Sequence, residues 1–311
     1  MSAVARASWQ IHFCVVLWGF TAILGKLISL GALALVWWRL LLVAAALAFV
    51  PRFWRGLAAM PRKLIAIYAG IGMVVALHWL MFYGSIKLAN ASVAATCLAL
   101  TPVFLAFIEP WLVGRRFDVR ELVSGVVAIP GVILIVGGTS IDMRLGIAVG
   151  VLGALLVAVF ASLNKRYIGN SDALSVTGLE MGAGLIMVTV LAPLFSSDAV
   201  FVVPSAHDAM LLVVLAMGCT LLPFVISLAA LRHVSAFSAT IALNMEPLYA
   251  VVLAILLLGE QRELSPSFYC GVVIVVGAVF LHPWTSRRSA AKVATLNAVA
   301  TADPPDRDRS G

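Results

Sequence analysis

Ser235-Ala-Phe-Ser-Ala-Thr-Ile-Ala-Leu-Asn-Met-Glu-Pro-Leu-Tyr-Ala-Val-Val-Leu-Ala-Ile-Leu-Leu-Leu-Gly259-Glu260 carries Glu246 and Pro247 at its middle. The stretch is long enough to cross a bilayer, which takes about 20 apolar residues, yet a charge there is expensive. Proline deepens the interruption, because it removes a backbone donor and leaves the Leu243 carbonyl, four residues back, without its helical partner. Lipid cannot repair that loss. The design recurs at Asn90-Ala-Ser-Val-Ala-Ala-Thr-Cys-Leu-Ala-Leu-Thr-Pro-Val-Phe-Leu-Ala-Phe-Ile-Glu-Pro-Trp-Leu-Val-Gly114-Arg115. A shift of 145 positions lays Leu98 on Leu243, Pro102 on Pro247, Gly114 on Gly259 and Lys87 on Arg232.

The chain is 63% hydrophobic and 11% charged, with a mean hydropathy of +1.09. A soluble domain carries about a quarter charged residues, so this is an integral membrane protein. The apolar runs lack the alternation of a barrel strand. They divide into ten expected crossings: Ile11 to Leu30, Leu33 to Val50, Leu64 to Ile86, Ala91 to Val113, Leu122 to Gly138, Leu145 to Leu163, Leu174 to Leu194, Ala209 to Leu231, Phe237 to Leu258 and Pro266 to Trp284. Short loops join them, the longer connections being Pro51 to Lys63, Tyr167 to Ala173 and Phe195 to Asp208.

The net charge of +7 reflects where the basic residues lie, and no nucleic-acid partner is implied. Arg6, Arg52, Arg55, Arg62, Lys63, Arg115, Arg116, Arg120, Lys165, Arg166, Arg232, Arg287, Arg288 and Lys292 fall on one side, against Lys26, Lys87, Arg144 and Arg262 on the other. That asymmetry places both termini in the cytoplasm of a cell inner (plasma) membrane protein. Arg6 precedes a first apolar run of full spanning length, which reads as an uncleaved anchor. Cys14, Cys97, Cys219 and Cys270 all fall inside predicted helices with no metal-ligand or disulfide spacing, so no metal and no cofactor is expected.

The repeat extends further, with Lys26 on Lys165 at a shift of 139, and Gly125-Val-Val and Gly131 on Gly271-Val-Val and Gly277 at a shift of 146. The expected layout is a cytoplasmic N-terminus over 1–10, one five-helix repeat over 11–141, a second over 142–284 and a polar, disordered tail over 285–311. Five being odd, the second repeat enters the membrane from the opposite face. The fold class is thus all-α integral membrane, ten transmembrane helices as two inverted five-helix repeats. Interrupted helices at matching places in two such halves point to a transporter's binding site.

Trp18-Gly19, Lys26, Arg39, the run from Ser85-Ile-Lys through Ala91-Ser-Val-Ala-Ala to Thr101-Pro102, and Glu246-Pro247 to Gly259-Glu260 carry a family likeness. In their order and spacing the chain resembles the drug/metabolite transporter superfamily, in particular its EamA-type ten-helix members. The resemblance covers roughly Ile11 to Trp284 and implies transport of small metabolites such as amino acids, related solutes or drugs. One departure is Gly114-Arg115-Arg116, where many relatives carry Gly-Glu.

Several polar residues fall within the expected spans. Glu246 could bind a substrate amine or carry a proton, or could satisfy the kink as a protonated donor. Asn244, about 200° from it round a helix, faces a different neighbour. Thr101 takes the matching place in the first half, where its hydroxyl can bond a backbone carbonyl. Arg39 and Glu180 occupy equivalent slots at a shift of 141, in the outer and inner halves respectively; each could line the route on its own side or serve a stabilising polar contact. His78, Trp79 and Tyr83 could shape a pocket for a zwitterionic or aromatic solute, or His78 could be a satisfied hydrogen-bonding group. Trp37 and Trp38 suit an interfacial belt, Lys26 and Lys165 snorkel to headgroups, Glu109 is a surface partner, and Glu260 is either a gate or solvated.

No GxxxxGK[ST] loop is present in the sequence, so direct ATP hydrolysis by this chain is not expected. The expected function is secondary transport of a small-molecule substrate across the lipid bilayer, in the export direction, by alternating access, coupled to protons or to exchange. The alternatives are a flippase for a lipid or polyprenyl carrier, and an intramembrane lipid-modifying enzyme, whose clustered acids or histidines are not found. Oligomeric state is not legible.

Overall fold

The computed structural model describes residues 3–114, 117, 127, 130–169, 171–195, 200–230 and 245–277, and every regular element among them is helical. The elements are α1 (Ala3–Leu27), α2 (Ala32–Ala48), α3 (Pro51–Ala59), α4 (Arg62–Leu88), α5 (Ala91–Leu98), α6 (Thr101–Val113), α7 (residues 130–137), α8 (Arg144–Tyr167), α9 (Ala173–Leu191), α10 (Ala206–Val213), α11 (Leu222–Ala230), α12 (Glu246–Leu253) and α13 (Pro266–Gly277). A π-turn, Val214–Leu221, joins α10 to α11, and another, Ala254–Leu258, extends α12.

Among the described residues, six stretches are long and apolar enough to cross a membrane: Trp9–Leu27, Arg62–Leu88, Ala91–Val113, Ile141–Tyr167, Ala173–Leu194 and Ala206–Ser227. Glu246–Leu258 and Pro266–Gly277 are shorter apolar helices. Leu243, Asn244, Arg115, Arg116, Arg120, Arg232 and the tail over 285–311 lie outside the described residues.

The connection from Pro51 to Lys63, expected as a loop, contains α3, which turns by 87° from α2. Pro51 opens it at a position where a missing N–H costs nothing. Phe53 points inward and is buried, while Arg52 and Arg55 are exposed. This is the pattern of a helix lying along a membrane surface. Arg52 ties it down, its Nη2 lying 2.7 Å from Asp172 Oδ1, and Asp172 Oδ2 caps α9 by accepting from Ser175 N at 3.1 Å. Partial burial opposes the Asp172 charge, but donation from Arg52 and Ser175 outweighs it and holds the carboxyl below its usual range.

Two half-helices begin and end alike among the described residues. The first is interrupted at Ala99-Leu100 and resumes at Thr101; the second half-helix starts at Glu246, with Met245 before it. Pro102 and Pro247 each sit in the first turn of the resumed helix, where a proline is tolerated. Gly114 and Gly259 end their helices at φ 75° and 70°, a left-handed conformation that favours glycine. Ala99, Leu100 and Pro247 are all buried, so these parts of the interruptions face protein.

At the end of the bundle that the charge pattern marks as outer, contacts are dense. Asp208 accepts from Ser29 N at 2.8 Å and from Ser29 Oγ at 2.5 Å. Lys87 Nζ donates to Ile28 O at 2.5 Å, and Trp38 Nε1 to Val202 O at 2.8 Å. Glu260, expected as a gate or a solvated group, is not solvated. It is 1% exposed and accepts the N–H groups of Ala91 and Ser92, at 2.9 and 2.8 Å, so it caps α5 from across the bundle. Asn90 completes that cap, with its Oδ1 accepting from Val93 N and its Nδ2 donating to Glu263.

The central helices meet through glycine. A Cβ on Gly72 of α4 would lie 2.5 Å from the Glu180 Cα of α9, and Gly184 faces Ala76 and the Gly72 carbonyl in the same crossing. Close approach through small residues is the usual route to helix packing in lipid. Gly72→Ala is therefore expected to destabilise the protein by about 1–3 kcal/mol, whereas Gly70→Ala, whose Cβ meets nothing within 4 Å, should be neutral or stabilising by up to about 1 kcal/mol. Thermal unfolding of both variants in one detergent measures this; equal shifts would show that the crossing does not depend on Gly72.

Candidate functional site

Arg39, at the middle of α2, is 2% exposed. Apolar neighbours cannot solvate a guanidinium, and it draws on two other elements instead, α4 and the Val214–Leu221 π-turn. Its Nε donates to Thr220 Oγ1 at 2.6 Å and its Nη1 to Tyr83 Oη at 2.7 Å. Its Cζ lies 3.7 Å from the centroid of the Trp79 ring, a cation–π contact that a desolvated site strengthens. The described residues supply no acceptor to Nη2.

Each partner is placed by a local backbone reason. Trp79 and Tyr83 are four residues apart on α4 and so share a face. Gly25 of α1 makes room for Tyr83, since a Cβ there would lie 2.5 Å from the phenol ring. Thr220 sits in the Val214–Leu221 π-turn, and its hydroxyl donates to Leu215 O, five residues back, at 2.7 Å. Pro223 explains the wide turn: it has no N–H for the Cys219 carbonyl, and its ring crowds that carbonyl. Trp18 and Trp79 both set an edge against Phe224, with centroids 6.1 and 6.0 Å apart. Next to Trp18, Gly19 lets α1 pass close to α12, where a Cβ would lie 3.1 Å from Tyr249 Cβ.

Glu246 is the first residue of α12, and it acts electrostatically on both Arg39 and Tyr83. No ion pair of contact distance joins Glu246 to Arg39. The amino end of a helix carries positive partial charge, so α12 favours a carboxylate at this position. Arg39, Trp79, Tyr83 and Glu246 thus converge, with Thr220 and Phe224 added from the π-turn and α11.

The other candidates stand apart. His78 Nδ1 donates to Gly153 O at 3.0 Å, which fixes the ring and satisfies that nitrogen, while Phe82 and Phe160 flank it. Thr101 opens α6, but the hydroxyl-to-carbonyl bond expected of it is made by Thr96, whose Oγ1 donates to Ser92 O at 2.7 Å. Glu180 is fully buried in α9 and is not among the partners of Arg39. Asn244 lies outside the described residues. Thr220 and Asn164 do not stand out as site residues from sequence. A proline three residues after a threonine in an apolar helix was the one signal for Thr220. Among the described residues no three His, Cys, Asp or Glu side chains gather to hold a metal.

The model of the EamA-like transporter family matches residues 8–137 and again 144–282. The uncharacterized transporter YdfC of Bacillus subtilis (strain 168) is 27% identical over 212 residues, 66% of this chain and 66% of that protein. The chain thus spans about two thirds of that relative's length. A probable terminal-alkyne amino-acid exporter of Streptantibioticus cattleyicolor is 26% identical over 262 residues, 83% of this chain and 87% of the relative. A protein of known crystal structure has the same fold, with a TM-score of 0.63 at 16% identity, over 91% of this chain and 98% of that one. With its apolar helices and a twofold match across nearly its whole length, the chain belongs to the EamA-like transporter family and is a multi-pass membrane protein.

Proposed function

We propose that the protein is a secondary exporter of small zwitterionic metabolites, amino acids or close relatives, and that the Arg39–Glu246 cluster binds them. The observation that carries this reading is the buried Arg39 guanidinium. Trp79, Tyr83 and Thr220 hold it, its Nη2 has no acceptor among the described residues, and Glu246 is held near it without direct contact. A substrate carboxylate docks on the open edge of the guanidinium, whose paired N–H groups match its two oxygens. The substrate ammonium faces Glu246. Trp79, Phe224 and Trp18 border the side chain, which sets how bulky it can be. One relative is named as an amino-acid exporter, and that agrees with a zwitterion as cargo.

On this reading the ten apolar segments form two inverted five-helix halves in the inner membrane, with both termini in the cytoplasm. The helices broken before Pro102 and Pro247 flank the route, and two near-equivalent packings provide access to each side in turn. Transport draws on a proton gradient or on exchange.

Proteoliposomes loaded with a mixture of radiolabelled proteinogenic amino acids test the site. Arg39→Lys retains the charge but loses the fork and the stacked plane, and is expected to slow transport at least tenfold, about 1.4 kcal/mol in the transport barrier. Glu246→Gln should be equally impaired, and uptake should be competed by zwitterions and not by the same side chains lacking the amine. Unchanged transport in both variants would refute the site. Tyr83→Phe, which takes the acceptor from Arg39 Nη1, should cost about 1.5–3 kcal/mol in stability and appear as a lowered Tm.

A further inference from the structure

Glu180 is the most buried charged residue whose role the Arg39 cluster does not explain. Its side chain is fully enclosed in α9, and neither carboxyl oxygen has a hydrogen-bond partner. Asn164 of α8 approaches the carboxyl, yet no bond of ordinary geometry joins them, and Asn164 Oδ1 is likewise buried and without a partner. Two carboxyl oxygens and one amide oxygen are thus buried with no hydrogen bond made to any of them. A bare carboxylate in that setting is strongly disfavoured, and something positive must take its place among the oxygens.

We propose that Glu180 and Asn164 form the proton site of the transporter, in which the Glu180 carboxyl binds one proton and donates it to Asn164 Oδ1. This rests on the reading of the chain as a coupled transporter, and it gives that reading a specific ion. A proton fits where a metal cation does not: hard cations such as calcium and magnesium gather six or more oxygens, and three are present. One donor and one acceptor suffice for a proton. The amide also serves both states, because a half-turn of its plane presents Nδ2 to the ionised carboxylate once the proton has left.

The surroundings provide a path and little competition. Tyr68 of α4 is close enough to feel the Glu180 charge. Its hydroxyl donates to Tyr167 O at 2.7 Å and lies 3.2 Å from Ser171 Oγ, on the connection that the charge pattern places at the cytoplasmic face. The proton passes between that mouth and the carboxyl along these hydroxyls. On the other elements packed near Glu180, Arg55 of α3 and Arg62 and Lys63 of α4 are exposed, and the remaining charged groups are committed elsewhere. Arg39 of α2 is held by Tyr83 and Thr220, Arg52 of α3 is paired with Asp172, and His78 of α4 is bonded to Gly153 O. On α8, Lys165 is paired with Glu109 and Arg166 donates to Leu112 O. The described residues of α11 bring no titratable group.

Two measurements on the full chain in proteoliposomes decide the matter. In the first, infrared difference spectra are taken across a pH titration without substrate. The wild type should show the carbonyl stretch of a protonated carboxyl, Glu180→Gln should remove it, and Asn164→Leu should shift it; Glu246→Gln should leave it in place. A band that survives in Glu180→Gln, or no such band in the wild type, overturns the proposal. In the second, the radiolabelled amino-acid mixture is followed both as uptake driven by an imposed pH gradient and as exchange at equal pH. The ratio of gradient-driven uptake to exchange should fall about tenfold in Glu180→Gln and by less in Asn164→Leu. A ratio equal to that of the wild type overturns the proton site while leaving the Arg39 cluster intact. Failure of the wild type to move the mixture by either route counts against the amino-acid reading, and the infrared band still decides Glu180.

Discussion

No peptide N–H or C=O can be left bare in hydrocarbon, and the architecture follows from that restriction. The membrane-facing elements are helical because only a helix satisfies its own backbone within one segment. A helix that stops inside the bilayer must bring its own cover. At the break between α5 and α6, Ala99 and Leu100 are enclosed by protein, and Pro102 falls in a first turn whose N–H groups would have had no helical acceptor in any case. The amino end of α5 is covered twice over, by Asn90 from its own chain neighbourhood and by Glu260 from the far half of the molecule.

That cap also divides the two halves. Glu260 puts a carboxylate against the positive end of α5, an arrangement favoured by both charge and hydrogen bonding. A shift of 145 positions brings Arg115 to the place of Glu260. An arginine has donors only and cannot accept from a helix amino end. On the proposed inverted repeat, the sequence therefore offers no second copy of this clasp at the matching position. Asp208, bonded to Ser29, has no counterpart by the same shift either, since 145 positions back lies Lys63.

Sequence reading found the membrane class and the interruption between α5 and α6, and it singled out Arg39, Trp79, Tyr83 and Glu246, because charge, proline and aromatic side chains stand out against apolar runs. It did not bring them into one cluster, since helical spacing says which residues share a face of one helix and nothing about which helices meet. Thr220 was invisible for a related reason: a threonine in an apolar span ordinarily bonds its own backbone, and only the π-turn before Pro223 turns it toward Arg39. Helix α3 was read as a loop because its nine residues mix Arg52 and Arg55 with Phe53 and Trp54, and its apolar face is narrow. The reading of Glu260 as solvated or a gate left open a question that only the position of α5 answers.

The two polar clusters occupy different depths, and α4 runs through both. Tyr83 and Trp79 lie toward its C-terminal end against Arg39, and Tyr68 lies near its other end beside Glu180. Between them Gly72 presses against the Glu180 backbone with no side chain to cushion the contact. A helix bonded along its length moves as one body, so a change in the guanidinium's partners that tilts α4 also shifts the wall of the Glu180 enclosure. On the proposed reading, coupling between substrate and proton needs no chain of flexible intermediates: one rigid element, biased by both proposed sites, is sufficient. That proposal requires α4 to have two discrete seats on α9, and glycine at the crossing leaves no interlocked side chain to hold it in one of them.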